Sequence, residues 1–521
     1  MFKTLLYKEI KNTIITFQFQ FITILSVLIC SAYIYIGLKE YETRLENYNI
    51  LKLKSKEEVD NINVFSQLQP LVASQPKVFS IICNGTMGAK GSYLRISPFS
   101  VPSKLNNEIT YNPYINSGFQ FDFNKVVAVL LSLLAILISF NMTSEEQEKG
   151  TLKLTLSSFV PKRKIIMAKL LACQIAISIT LLAIFFILFL ILLFSPSVSL
   201  NIDFFFRIVL IFLFYQVYLF TFILIGGLFS ILTKRSSTSL IINLFVWLLF
   251  TIVIPYGVIF ISESVSGNEK MDGYNTQIMA LENDANRKLN EWNKTHPKPG
   301  PAYTFGYVEF NERDNYFITR GVRQEFFDWC ETYFTYRNSL MIDKAEKEYE
   351  IEKNILLYKE NRRKLNERLL SLSVTNQLSV IVENLCNTSF FDYESYINDL
   401  KIYRTTLLSY IESKKGFSSR RWFTDDQTGQ DAWVKDPEKF DPNILANDRN
   451  IGYKAYLAIN VQKDLPERKL NLKDVPVFQN SKISISKSFK NSLFESNFLI
   501  LFNALLFFLI LVLFNKYYVI S

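Results

Sequence analysis

One histidine, His296, bounds the acid–base chemistry available to this 521-residue chain. Proton transfer near neutral pH falls most often to histidine, and His296 sits beside Pro297, Pro299 and Pro301, where a solvated loop is the ordinary setting. No HExxH, GxSxG or Cys/His constellation occurs, and no pair of carboxylates stands apart from ordinary solvated helix faces. A phosphate loop needs Lys and Ser/Thr directly after its second Gly. The nearest approach, Gly85-x-x-Gly88-x-Lys90-Gly91-Ser92, fails that spacing and reads as a turn-rich surface loop. The five cysteines (Cys30, Cys83, Cys173, Cys330 and Cys386) lack the short paired spacing of a zinc or redox motif. The expectation is no catalytic residue, no metal and no nucleotide site within the chain.

The polar residues that remain of interest lie inside long apolar segments. Of all residues 49% are hydrophobic and 20% charged, with 46 Phe and 27 Tyr, and the two classes are segregated into blocks. That segregation indicates bilayer spans joined by water-facing domains. A helix needs about 20 mainly apolar residues to cross the hydrocarbon, and six segments fit: 14–38, 126–141, 165–194, 208–232, 240–262 and 498–514. The second and sixth are short, but amphipathic lead-ins at 121–125 and 485–494 extend them. The first follows Lys3, Lys8 and Lys11, is too long for a cleaved leader and lacks a small-residue cleavage site, so it reads as a retained helix. Polar groups in lipid are functional suspects. Here they are Gln18, Gln20, Gln174, Gln216, Asn243 and Asn503, with no acid or base mid-span, which argues against an ion-coupled carrier. The amides either hydrogen-bond between helices, their ordinary use, or contact a substrate. Gly226-Gly227 predict close helix approach, Pro255 a bend, and Cys30 and Cys173 packing.

Lysine and arginine in short loops set orientation. Lys3, Lys8 and Lys11, then Lys149, Lys153, Lys162, Arg163 and Lys164, then Lys234 and Arg235, then Lys516 all fall on one side of six alternating helices. That side is expected to be the cytoplasm, with both termini in it and the chain in the cell (inner) membrane. The formal charge of +9 is spread over span flanks and a soluble region of mixed sign, so nucleic acid is not an expected partner. The expected fold class is an all-α integral membrane protein of six transmembrane helices with a mainly helical extracytoplasmic domain and room for minor β. The expected organisation is 1–38, N-terminus and first helix; 39–125, first outside insertion; 126–262, helices two to five with a cytoplasmic loop at 142–165; 263–497, a large outside helical domain; 498–521, last helix and tail. Within the outside regions Cys83, Cys330 and Cys386 leave a disulfide open. Solvated helical patterns run from Asp343 to Leu370, and an apolar stripe from Tyr393 to Ile411, with Ser389 or Asp392 to cap it. A turn-rich aromatic stretch follows, with Trp422, Trp433, Pro437, Pro442 and Pro466. A small sheet is expected near Gly85, Gly88 and Gly91.

The most informative block is Ser139 to Lys169, SFNMTSEEQEKGTLKLTLSSFVPKRKIIMAK. It leaves a span, passes through Glu146-x-Glu148-x-Gly150-Thr151-Leu152, and ends in a basic turn, Pro161-Lys162-Arg163, before the next span. Gly150 permits a bend, and Leu152, Leu154 and Leu156 with Lys153 form a small docking surface or merely anchor the loop at the interface. This block resembles the ABC-2 type exporter permeases, in the subgroup with large insertions between the first and second and the fifth and sixth spans. Further likeness lies in Asn112-Pro113, Phe121-Asp122-Phe123, Ser132-Leu133-Leu134-Ala135, Trp247 with Ile254-Pro255, Leu372-Ser373, Asn387-Thr388-Ser389, Tyr393, Tyr403-Arg404 and Asp474-Val475-Pro476-Val477-Phe478. Glu145 stands where a typical member has Gly, and the exit Asn515-Lys516-Tyr517-Tyr518 is less basic than usual.

The resemblance implies a permease subunit without an ATPase site of its own. Glu146, Glu148, Gly150, Thr151, Leu152, Lys153, Pro161, Lys162 and Arg163 would then lie at the contact with an ABC ATPase supplied in trans, which binds ATP and Mg. It implies a second permease copy or paralogue, as a homo- or heterodimer in the lipid bilayer. An extracytoplasmic accessory protein fits the outside domain. Two alternatives stay open: a mechanotransmitting subunit acting on an extracytoplasmic partner, and a polytopic receptor or scaffold without transport.

Overall fold

The computed structural model describes residues 2–85, 93–103, 122–152, 156, 160–198, 201–255, 257–258, 269–299, 308–311, 316–319, 324–425, 469–481 and 483–516. An N-terminal helix, α1 (Phe2–Ile15), breaks at Thr16 before the long α2 (Phe17–Asp60). The break falls in a polar, β-branched run: Thr16 is extended (φ −63°, ψ 131°), and its hydroxyl donates back to the Thr13 carbonyl at 2.8 Å. The first crossing thus begins at Phe17 rather than Ile14, and residues 2–15 form a separate helix packed along the third crossing. A short hairpin follows, β1 (Leu71–Ala73) with β2 (Tyr93–Arg95), antiparallel with Val72 opposite Leu94.

Next come α3 (Phe123–Ser139), α4 (Ser144–Glu148), α5 (Lys162–Leu193), α6 (Ile202–Leu232) and α7 (Ser236–Leu248), the last running into a π turn at Leu249–Val253. Then follow α8 (Glu269–Thr295), a second hairpin of β3 (Val308–Asn311) and β4 (Tyr316–Thr319), α9 (Gln324–Leu370), α10 (Val374–Cys386), α11 (Phe390–Ser413), α12 (Ile485–Asn491) and α13 (Leu493–Asn515). Among the described residues six helices are long and apolar enough to cross a membrane: Phe17–Asp60, Phe123–Glu148, Lys162–Leu193, Ile202–Leu232, Ser236–Val253 and Leu493–Asn515. The protein is an all-α membrane protein with two small hairpins among the described residues.

The central span is α6, which touches α3, α5, α7, α13 and α10. The most apolar stretches of α3 and α6 are 61% and 56% buried, against 22% and 17% for α2 and α7, so the first pair forms the middle of the bundle and the second pair its margin. Close approach at the centre depends on Gly226, where an added Cβ would lie 2.8 Å from Ser139 Cβ. A second core stands beyond the spans and unites both long insertions. Ile62, Phe65, Leu68 and Ile96 pack there with Phe327 and Phe334 of α9, Leu400 and Leu407 of α11, and Trp422 and Phe423. Arg404 joins them, donating to Glu346 at 2.6 Å and to the Pro98 carbonyl at 2.8 Å.

α10 is the unexpected element. Its sequence belongs to the 263–497 insertion, yet Val374, Leu378, Ile381 and Leu385 are buried in the same core as the spans. Periodicity explains the helix, with apolar residues three or four apart. Its start is fixed by Ser373, which caps the Asn376 amide (3.2 Å) and donates to the Phe250 carbonyl (2.6 Å) in the π turn of the fifth span. A π turn breaks the regular i to i−4 ladder and leaves carbonyls for outside partners. Ser389 and Asp392 then form a reciprocal capping box that starts α11.

Candidate coupling site at the basic face

Several polar groups of the segment after the second span tie it to the bundle. The N-terminal amides of α4 have no side-chain cap of their own. Ser230 of α6 supplies one, its hydroxyl accepting from Thr143 N at 2.8 Å and Ser144 N at 3.0 Å. Free helix-start amides are thereby satisfied from a different span. Glu146 faces inward to Lys169, in the second turn of the third span. The Lys169 ammonium, 6% exposed, donates to Glu146 Oε1 at 2.7 Å and to the Met142 carbonyl at 2.9 Å, with Glu9 of α1 at 3.9 Å. A buried charge is tolerated when paired and hydrogen-bonded, and this one gathers α1, α4 and α5 at a single atom.

Glu148 reaches sideways instead, accepting from Ser236 N at 3.0 Å and so capping the start of the fifth span. A carboxylate at a helix N-terminus is favoured by both hydrogen bonding and the helix dipole. Ser239 of α7 donates to the Phe140 carbonyl at 2.6 Å, closing the ring of contacts. Gly150 makes the bend with φ 72° and open space around it. Beyond it Leu152 is buried and Leu156 packs against the core, while Thr151, Pro161 and Arg163 are exposed and Lys162 is half-buried. Lys153 and Leu154 lie outside the described residues. So the acidic pair and Leu152 hold the segment to the bundle, and Lys149, Gly150, Thr151, Pro161 and Arg163 present its outer surface.

Among the in-span amides, Gln174 donates to Gln216 Oε1 at 2.6 Å across α5 and α6, and Ser178 donates to the same oxygen at 2.8 Å. Asn503 joins α13 to α6 through Thr221 Oγ1 (3.0 Å) and the Val217 carbonyl (3.2 Å). Asn243 bonds within its own helix, to Ser239 Oγ at 3.3 Å. Gln18 and Gln20 are exposed in the first turn of α2 rather than at mid-depth.

The opposite end of the bundle carries a residue that sequence reading passed over. Arg207, 1% exposed, donates to the Leu385 carbonyl (2.7 Å), Asn387 Oδ1 (3.0 Å) and the Ile483 carbonyl (3.1 Å), and pairs with Asp203 at 2.9 Å. It thereby rivets α6 to the end of α10 and to the approach to α12. The available signal was a lone arginine at the edge of an apolar run, on the side poor in basic residues. Nearby, burial, with Asp122 beside it, raises Glu383 to about 7 from 4.5. Asp122 itself caps α3 at Lys125 N (3.0 Å) and accepts from Asn84 N (3.2 Å).

The remaining chemical candidates take ordinary places. His296 is exposed, stacked on Trp292 at 4.4 Å. All five cysteines are buried with free thiols, and burial pushes the Cys330 thiol up to about 12. Of the Gly85–Ser92 stretch only Gly85 is described, and Asn112-Pro113, Phe121, Pro301, Trp433, Pro437, Pro442 and Pro466 also fall outside the described residues. Among the described residues no group of acidic, His or Cys side chains could hold a metal.

No curated protein matches the chain. A family model described as ABC-2 family transporter protein matches residues 4–411, from the first turn of α1 to the end of α11's apolar stripe. Six apolar helices and this match together place the chain in the ABC-2 transporter family, as a multi-pass membrane permease component of an ABC transporter.

Proposed function

We propose that this chain is the transmembrane subunit of an ABC exporter whose ATPase is a separate polypeptide, placed in the cell (inner) membrane with both termini cytoplasmic. ATP and Mg belong to that partner, and a second copy or paralogue completes the pathway. The observation that carries the reading is the attachment of α4 to three spans at once, through Ser230, Lys169–Glu146 and Glu148–Ser236. A partner pressing on Lys149, Gly150, Thr151, Pro161 or Arg163 would displace the ends of the second, third, fourth and fifth spans together. ATP binding shifts the helices only if the ATP-bound partner prefers one arrangement.

Gentle purification of the tagged chain tests this. An ABC ATPase at one-to-one ratio is expected, and Thr151→Cys should crosslink to it. Recovery of the chain with no ATPase would leave the receptor or scaffold reading in its place. Co-purification unaffected by reversing Arg163 and Lys149 together would move the contact elsewhere.

A second reading within the family has its own support. α2 runs unbroken for 44 residues, about 66 Å at 1.5 Å per residue, against about 30 Å of hydrocarbon. Such a rod carries motion from the basic face into the far domain, as mechanical transmission requires. Proline at Asn47 should then abolish function while leaving ATPase binding intact; a transporter with its pathway between the spans would tolerate it.

A further inference from the structure

A cavity of about 550 Å³ opens between α1, the first turns of α2, the end of α3, α4 and α5. Its two halves differ in chemistry. One is walled by Phe19, Leu137 and Ile138, within the apolar stretches of the spans; the other carries Glu9, Glu146 and Lys169. A site that straddles this boundary, greasy at one end and ionic at the other, fits an amphiphile rather than a free ion.

The ionic half specifies the head group. Two carboxylates share one buried ammonium, with Lys169 at 2.7 Å from Glu146 and 3.9 Å from Glu9. Together the three side chains carry one negative charge in excess, and both carboxylates line the cavity. A charge held away from bulk water is costly unless paired, and the natural complement of an excess carboxylate is a cation that donates N–H. Lys11 also lines the cavity and supplies positive charge for an anion next to that cation. We propose that this cavity holds a phospholipid with a primary ammonium in its head group, drawn from the leaflet on the basic face. Its ammonium lies against Glu146 and Glu9, its phosphate is turned toward Lys11, and its first acyl carbons run along Phe19 and Ile138. The inference stands on membrane insertion and does not depend on an ATPase.

The test uses the full chain, delipidated and reconstituted in nanodiscs of dioleoyl-phosphatidylethanolamine, dioleoyl-phosphatidylcholine or dioleoyl-phosphatidylglycerol. Native mass spectrometry after extraction counts the lipids retained. One phosphatidylethanolamine per chain is expected, retained at least tenfold over phosphatidylcholine, whose head has no N–H. Glu9→Gln should lower that preference about tenfold without moving the thermal unfolding midpoint, because Glu9 is the outlying partner of Lys169. Leu137→Trp, at a half-buried position of the cavity wall, should displace the lipid whichever head it carries. Equal retention of the three lipids, or a preference unchanged in Glu9→Gln, would overturn the proposal. Soluble phosphoethanolamine binding as tightly as the lipid would overturn the membrane source.

Discussion

Replacing Arg207 with Met is the sharpest test of how the far domain is joined to the spans. The substitution keeps the length and apolar stem of the side chain and removes every donor. One buried acceptor then loses its partner, the Leu385 carbonyl at the end of a buried helix, while Asn387 Oδ1 loses one of two donors and keeps Ser488 Oγ at 2.9 Å. The Ile483 carbonyl is only partly buried and regains some water. Asp203 is 56% exposed, so losing its ion pair costs at most about 1 kcal/mol. A buried acceptor left unmade costs about 1–3 kcal/mol, so the joint weakens by roughly 2–4 kcal/mol in all. That corresponds to a rise of about 30- to 1,000-fold in local opening, at 1.4 kcal/mol per factor of ten. Hydrogen exchange reads it directly: amides of residues 384–388 and 485–491 should lose protection by that factor, while those of α3 and α5 do not. Arg207→Lys should fall between, because one ammonium cannot reach three acceptors in fork geometry. If Arg207→Met left exchange at 384–388 unchanged, the rivet assigned to this residue would be wrong.

Three further outcomes follow from the same geometry. Gly226→Ala forces its new methyl against Ser139, 2.8 Å from Cβ to Cβ, and should cost about 1–3 kcal/mol by overpacking; Ser139→Gly in the same chain should recover most of the lost melting temperature. Gly150→Ala meets no atom within 4 Å but keeps φ at 72°, so the cost is conformational, about 1–2 kcal/mol, and Gly150→Asn should recover part of it in thermal unfolding. For Glu383 the folded-state value is raised to about 7 from 4.5, so the folded protein holds a proton that the unfolded chain has released. Stability should therefore fall as pH rises from about 4.5 to about 7 and stay lower above it; Glu383→Gln should remove that slope and raise the unfolding midpoint at pH 8.

Local composition carried the spans. Long apolar runs need no distant partner to be recognised, since transfer into hydrocarbon is a property of each segment by itself, and the helices at 162–193, 202–232 and 493–515 differ from the expected ones by a few residues at their ends. Gly226 and Gly150 were legible for the same reason, because a glycine announces a close approach or a left-handed bend. Ser389 and Asp392 marked a helix start through a motif four residues long.

Contacts between segments far apart in the chain were not legible. Glu146 and Glu148 look alike in sequence, yet one turns to a buried lysine of the third span and the other caps the fifth. Their difference depends on Lys169 and Ser236, 23 and 88 residues away. Arg207 was passed over in the sequence because its acceptors, on Leu385 and Ile483, come from more than 170 residues downstream. The burial of α10 among the spans depends on which surface its apolar stripe finds. Periodicity along one segment determines that a helix has a greasy face; only the packed molecule decides what covers it, because burial is a property of pairs of surfaces.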